Sequence, residues 1–151
     1  MIDRGFRGAR PEPFTVDVER GRLRFFHQVL GTVDRVFTDP AAARAAGHPD
    51  LPVPPTFLFG LELEDPADLL TEMGVDLARV LHVEQGFVYH RTAHAGERLT
   101  FAPVITDLYQ RQGGALEFVV RDTAVTDAAG EPVADLHQVI AVRRVIPEEA
   151  G

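Results

Sequence analysis

The chain has 151 residues, enough for one domain with a real core, and its 45% hydrophobic and 25% charged residues are ordinary for a globular protein. The formal net charge of -8 leaves no basic footprint, so we expect neither nucleic acid nor an anionic membrane as a partner. The absence of cysteine excludes disulfides, thiolate metal sites and a cysteine nucleophile, and the absence of serine excludes a serine hydrolase.

The start of the chain lacks the hydrophobic segment of a signal peptide, and the longest apolar runs are shorter than a membrane span. We therefore expect a cytoplasmic protein. Residues 1–13 carry arginine, glycine and proline with little to bury, which predicts a flexible N-terminal arm.

Local patterns predict the first elements. Alternating apolar and polar residues over Phe14–Val18 predict a short strand. Apolar residues at helical spacing predict a helix over Glu19–Leu30, and Gly31 is placed to end it in the left-handed conformation. Asp39 followed by Pro40 predicts the start of another helix, with the carboxylate as N-cap and the proline in the first turn.

The segment Leu51–Leu63, LPVPPTFLFGLEL, is the centre of the predicted fold. Its prolines hold the approach extended, and Pro55 or Thr56 can begin a helix because the first helical N–H groups have no intrahelical partner. The following residues are apolar on nearly every side, which is typical of a buried helix. A second short helix, Asp65–Met73, is predicted to continue along the surface.

From Val80 onward the chain alternates over long stretches, which predicts only strands. Four strands are predicted: Val80–His90, one from Leu99 through Ile105, one around Leu116–Val120, and Val133–Val145. In the first of these, Leu81, Val83, Phe87 and Tyr89 are expected on one face. Gly113-Gly114 predicts a two-residue hairpin turn.

One buried helix wrapped by a long antiparallel sheet is the hot-dog fold, an α+β architecture. We predict a single hot-dog domain over residues 14–146 and a C-terminal tail over residues 147–151. There is no linker or change of composition that would divide the chain.

Several runs together carry a resemblance: Arg24-Phe-Phe, the stretch from Asp34 to Gly47, Pro54-Pro-Thr-Phe57, His90-Arg91 and Gly113-Gly-Ala-Leu-Glu-Phe118. The combination resembles the MaoC-like hydratase/dehydratase family, and within it the branch called FAS1-like dehydratase, the N-terminal or partner half. The resemblance covers roughly Val16 to Arg144.

Catalytic members of that family carry a G-D-x-N-P-x-H motif after the first helix. Its aspartate and histidine activate the water that adds to, or leaves, an unsaturated acyl thioester, and both are needed because one group accepts a proton while the other delivers one or orients the water. Aligned with this chain, the motif falls on Gly31, Thr32, Asp34, Arg35 and Phe37. Thr32 is not a general base near neutral pH and Phe37 does not titrate, so the dyad is absent.

The resemblance therefore implies a non-catalytic or weakly catalytic subunit of a (3R)-hydroxyacyl-CoA or acyl-carrier-protein dehydratase. Such enzymes often combine one catalytic and one degenerate hot-dog unit, and the degenerate unit completes the acyl tunnel. A relocated dyad of Asp34 and His48 is an alternative source of activity. Two other functions stay open: a homodimeric acyl-thioester-binding protein without chemistry, and a hot-dog thioesterase that uses Glu62 or Glu64.

The resemblance also implies where a substrate binds. The N-terminus of the central helix, at Pro55, Thr56 and Phe57, offers unpaired backbone N–H groups to a thioester carbonyl. Phe57 and Phe59 are expected to line the acyl pocket with their apolar neighbours. The expected ligand is an acyl-CoA or acyl-carrier-protein thioester, with no further cofactor.

We expect a dimer, formed by two copies of this chain or by this chain and a catalytic MaoC-like chain, joined side by side into one continuous sheet. The histidines lack metal-ligand spacing, so no metal site is expected. Five acidic residues are expected to face solvent or an interface: Glu62, Glu64, Asp107, Glu117 and Asp122.

Overall fold

The computed structural model of the chain describes residues 1–67 and 69–144. The strands are β1 Phe14–Asp17, β2 Val80–Tyr89, β3 Arg98–Arg111, β4 Leu116–Thr126 and β5 Pro132–Arg143. The helices are α1 Arg20–Val29, α2 Pro40–Ala45, α3 Phe57–Glu62 and α4 Leu69–Glu72. Short 3₁₀ turns occupy Arg4–Phe6, Arg35–Phe37, Leu77–Arg79 and Gln112–Gly114.

The strands form one antiparallel sheet in the order β1-β3-β4-β5-β2, packed around α3. This arrangement confirms the α+β hot-dog fold. Hairpins join β3 to β4 and β4 to β5. The last strand, β5, then lies beside β2, which forms one edge of the sheet. The predicted end of the last strand at Val145 and the tail lie outside the described residues, and the domain boundaries stay a prediction.

A bulge in β2 changes which of its residues face the helix. The pairing of β2 with β5 shifts by one residue at Val83. Phe87 and Tyr89 pack against the core as predicted, but Leu81 and Val83 are 42% and 55% exposed. The prediction of one shared face is wrong for these two residues because the inserted residue moves the alternation by one position.

Helix α3 is shorter and less enclosed than predicted. It has six residues and follows Thr56, which is its N-cap. Leu58 and Leu61 are fully buried in the main core, whereas Leu63 is 65% exposed and Gly60 lies on the surface. The expectation that the helix is buried on every side is therefore corrected: one side of it is open in the single chain.

A second apolar cluster lies against the sheet where β5 ends, and α4 covers it. Leu69 and Met73 are both buried there, so the predicted surface position of Asp65–Met73 is wrong. Ile2 belongs to the same cluster, and the backbones of residues 8 and 9 hydrogen-bond to Ile105. The first 13 residues thus bury more than their composition indicated, and their flexibility stays a prediction.

The helix ends and the turn that were predicted from neighbouring residues are present in the structure. Asp39 caps α2 by accepting a hydrogen bond from the Ala41 N–H at 2.8 Å. Gly31 has a φ of 69° directly after α1, as a left-handed helix end requires. The Gly113-Gly114 turn joins β3 to β4, although the connection contains residues 112–115 rather than two residues.

Candidate functional site

The segment that aligns with the family motif closes around a buried histidine. His27 lies in the last turn of α1 and is 2% exposed. Its Nδ1 lies 3.2 Å from the Thr32 hydroxyl, and its ring centroid lies 4.8 Å from that of Phe37. The two positions at which catalytic members carry aspartate and histidine therefore both pack against His27.

His27 is placed to pack rather than to react. Burial lowers the pKa of its imidazole, which keeps the ring neutral near neutral pH. Its Nε2 is enclosed and has no hydrogen-bond partner within residues 1–67 and 69–144. His27 was not among the predicted site residues, although it lies four residues after buried Leu23 and so shares the core face of the helix.

The structure gives Asp34 and His48 different partners. Asp34 accepts a hydrogen bond from the Val36 N–H at 2.9 Å and caps the turn that follows. His48 Nδ1 lies 3.1 Å from His94 Nε2, and His94 Nδ1 lies 3.3 Å from a Glu97 oxygen. No hydrogen bond or ion pair joins Asp34 to His48 in the described part of the chain, and their use as a dyad stays a prediction.

Hydrogen bonds fix the loop that leads into α3. The Tyr89 hydroxyl donates to the Pro55 carbonyl, and the Phe57 N–H donates to the Pro54 carbonyl at 3.0 Å. Burial raises the pKa of Tyr89 to about 12, so its hydroxyl remains a donor at neutral pH. Because the Phe57 N–H is occupied, a thioester carbonyl at this helix end would use the N–H groups that follow in the first turn.

An apolar groove of about 400 Å³ separates α1 from α3. Phe26 and Phe57 meet at its floor with their ring centroids 5.3 Å apart, and Phe25, on its wall, is 68% exposed. The Arg22 guanidinium lies 5.9 Å from the Phe57 ring centroid at the same groove. Of the predicted acyl-pocket residues, the structure therefore places Phe57 in a groove.

Phe59 points elsewhere. Its ring stacks on His82 of β2, with centroids 4.8 Å apart and planes 6° from parallel. This contact holds the helix against the edge strand, and Phe59 does not line the α1–α3 groove. Its predicted place in an acyl pocket stays a prediction.

Glu62 is the most enclosed acidic side chain among the described residues, with 1% exposure. One carboxylate oxygen accepts hydrogen bonds from the Thr123 hydroxyl and from Arg121 Nε, the latter at 3.1 Å. Its other oxygen has no partner in the described part of the chain. The expectation that Glu62 faces solvent is wrong because β4 presents both donors beneath the helix. Glu64, by contrast, is partly exposed and pairs with Arg22.

Glu117 also departs from the expectation of a solvated position. It is 5% exposed and accepts hydrogen bonds from the Ile2 N–H at 3.0 Å and from Gln110 at 3.1 Å. Asp107 and Asp122 are half-exposed, as expected of outward-facing positions. Tertiary partners thus decide which acids are buried.

The histidines are distributed among separate contacts. His90 pairs with Asp135 at 2.8 Å and His137 pairs with Asp122 at 2.5 Å. Among the described residues, no group of three or more histidine, aspartate or glutamate side chains could hold a metal ion. No helix within these residues is long and apolar enough to cross a membrane.

An antiparallel sheet packed around a short helix is the architecture of a hot-dog unit, here of the MaoC-like hydratase/dehydratase class. The chain belongs to the family described as FAS1-like, dehydratase domain region, which it matches over residues 6–136. This match confirms the resemblance seen in the sequence and extends over most of the chain.

Relatives and a solved structure agree with this assignment. The chain is 32% identical to a UPF0336 protein of Streptomyces avermitilis, over 99% of this chain and 97% of the relative. It is 37% identical to a UPF0336 protein of Clavibacter michiganensis, over 83% and 85% of the two chains. The HadBC (3R-hydroxyacyl-ACP dehydratase) complex of Mycobacterium tuberculosis contains a chain with 27% identity and a TM-score of 0.76, covering 90% of this chain and 96% of that one.

Proposed function

We propose that this chain is the supporting hot-dog unit of a (3R)-hydroxyacyl-thioester dehydratase, and that a related chain with an intact motif supplies the chemistry. The observation that carries the proposal is the packing of Thr32 and Phe37 around buried His27. Thr32 and Phe37 are themselves partly exposed, and they pack against the buried ring where the resemblance predicts the dyad. A cytoplasmic location is part of the same proposal.

Hydration of an enoyl thioester needs a base for the water and an acid for the α-carbon. The motif segment of this chain offers a hydroxyl and a phenyl ring at those positions, and the nearby imidazole is sealed from solvent. The motif segment of the chain therefore has neither of the two proton-transfer groups that turnover needs. The name of the HadBC complex supports an assembly in which two such chains act together.

The contribution of this chain to binding is the apolar groove between α1 and α3. Phe25, Phe26 and Phe57 provide a wall that an acyl chain can cover, which removes apolar surface from water. Contact between this apolar surface and water is unfavourable, so an acyl chain that covers the surface gains free energy on binding. The hydrogen-bonded loop at Pro55 fixes the orientation of the N-terminal end of α3.

Strand β2 is the edge on which we place the partner. Its backbone is unpaired on one side within the described sheet, and Val83 and Val88 expose 55% and 61% of their surface there. An exposed apolar edge strand favours pairing with another strand. Two hot-dog units joined through β2 would form one continuous sheet.

The test is hydration of a short enoyl-CoA, followed by the loss of its ultraviolet absorbance. The chain is assayed alone, then with a catalytic MaoC-like chain, and the catalytic chain is also assayed by itself. We expect turnover to rise only in the mixture. Clear turnover by the chain alone would refute the supporting role and would direct attention to Asp34 and His48.

Two alternatives give different results in the same experiment. A self-dimer that retains acyl-CoA, and that no catalytic chain activates, indicates a binding protein without chemistry. Release of free coenzyme A indicates a thioesterase, and Glu62→Gln then abolishes it. Because Arg121 and Thr123 already hold the Glu62 carboxylate, we expect no thioester hydrolysis.

A further inference from the structure

A polar cavity of about 190 Å³ opens where β2 begins and β5 ends, close to α4. It lies at the opposite end of β2 from Tyr89, and therefore away from the groove between α1 and α3. Its charged lining consists of Asp76, Arg79, Glu117, Arg143 and Arg144.

Both acids of this cavity are already engaged. An Asp76 oxygen lies 3.3 Å from Arg79 Nε. Glu117 is buried and accepts hydrogen bonds from the Ile2 N–H and from Gln110. Each carboxylate of the cavity therefore already has a hydrogen-bond or ion-pair partner.

The remaining cations of the cavity lack carboxylate partners in the described part of the chain. Arg143 has no described ion pair. The Arg144 guanidinium donates to the Gly114 carbonyl at 3.4 Å, and its backbone N–H donates to the Ala115 carbonyl. Arg111 lies on the same sheet end, since Leu116 pairs with both Arg111 and Arg143, and it covers the Tyr109 ring rather than an acid. Within residues 1–67 and 69–144, these arginines are cations without carboxylate partners in a chain of net charge -8.

We propose that the arginine-lined cavity binds a phosphate or diphosphate group. Guanidinium groups form paired hydrogen bonds with phosphate oxygens, and two of them without acids of their own provide a strong site for a doubly charged group. The cavity is smaller than the roughly 300–1,000 Å³ of a complete small-molecule pocket, which suits a head group rather than a whole ligand.

The identity of that group rests on the proposed function: it is the phosphate of the thioester carrier. When two units pair antiparallel through β2, the Val80 end of one strand lies beside the far end of the partner's equivalent strand. Across a strand of 10 residues, this places the cavity of one unit beside the α3 end of the other. The supporting chain would then hold the carrier while its partner performs the chemistry.

The test measures direct binding to the purified chain, without turnover. The probes are adenosine 3′,5′-bisphosphate, which is the nucleotide part of coenzyme A, and 4′-phosphopantetheine, which is the arm of a carrier protein. Isothermal titration at low ionic strength is run on the wild type and on the double variant Arg143→Gln, Arg144→Gln. The matched control is Arg35→Gln, Arg98→Gln, which removes the same charge from exposed pairs elsewhere.

We expect at least one probe to bind the wild type and to bind the cavity variant about a hundredfold more weakly, which is about tenfold for each of two lost charge-assisted hydrogen bonds. The control should lose no more than the change in net charge explains, and added salt should weaken wild-type binding. Preference for the bisphosphate assigns coenzyme A, and preference for phosphopantetheine assigns the phosphate of the arm that coenzyme A and a carrier protein share.

Absence of binding of both probes, or an equal loss in the cavity and control variants, would overturn the proposal. Because the readout is binding to one chain, it is independent of the hydration assay. A chain that activates its partner but binds neither probe would leave the supporting role intact and refute only the cavity assignment.

Discussion

Removing the cation from the buried Glu62–Arg121 pair tests how α3 is held on the sheet. In Arg121→Leu, the carboxylate stays 1% exposed but loses its charged donor, while the Thr123 hydroxyl still donates to it. Breaking a buried ion pair on one side costs about 3–5 kcal/mol. Arg121 is itself 16% exposed and one donor remains, so we expect the lower end, about 3 kcal/mol, in the free energy of unfolding.

Urea unfolding followed by circular dichroism measures this loss, at one fixed protein concentration because a dimer makes stability depend on concentration. Arg121 also lies 3.7 Å from the buried Asp65 carboxylate, so the double variant Glu62→Gln, Arg121→Leu removes one of two unpaired charges and should recover part of the loss, about 1 kcal/mol. Arg98→Leu is the control, since it breaks an exposed pair with Asp17 and should change the midpoint little. A loss below about 1 kcal/mol in Arg121→Leu, or no recovery in the double variant, would refute the reasoning.

Three further predictions concern the motif segment and the loop before α3. Burial lowers the pKa of His27, so the unfolded state binds a proton on this residue before the folded state does as the pH falls. The free energy of unfolding should therefore decrease below about pH 6.5, by at most about 1.4 kcal/mol per pH unit. Urea unfolding at several pH values measures this decrease, and His27→Leu should lack it. His27→Leu should also keep full activity in the mixed hydration assay, and a loss there would contradict its packing role. Tyr89→Phe removes the hydrogen bond to the Pro55 carbonyl and should lower the free energy of unfolding by about 0.5–1.5 kcal/mol, measured in urea. In the wild type, absorbance at alkaline pH should show the Tyr89 phenol titrating near pH 12. The double variant Thr32→Asp, Phe37→His restores the aspartate and histidine of the family motif but places two polar groups against the buried His27 ring. We therefore expect lower stability and no hydration by the chain alone. Turnover by this variant would show that the segment is open to substrate.

The elements that the sequence predicted well are those specified by local chemistry. Asp39 needs only the N–H groups of its own helix, and Gly31 needs only its lack of a side chain. The presence of β4 and β5 was likewise predicted from their own residues, although burial does not alternate along β5. These signals do not depend on what lies across the fold.

The bulge in β2 and the burial of Glu62 depend on contacts distant in sequence. Nothing near Val83 marks it as the inserted residue, because the shift is defined by the pairing with β5. Glu62 is enclosed because β4 presents Arg121 and Thr123, which lie 59 and 61 residues further along the chain. A helix pattern read alone placed this carboxylate in solvent.

The motif segment combines both kinds of information. The sequence predicts that Thr32 and Phe37 stand where catalytic members carry the pair, and the fold shows what these two residues contact. A carboxylate beside a neutral, buried imidazole would need desolvation that nothing in the described cluster compensates, whereas a hydroxyl hydrogen-bonds to the ring and a phenyl ring stacks on it. The segment therefore joins α1 to the turn that follows it through contacts with His27. In an assembly where a second hot-dog unit supplies the dyad, a unit changed in this way can still support the acyl groove.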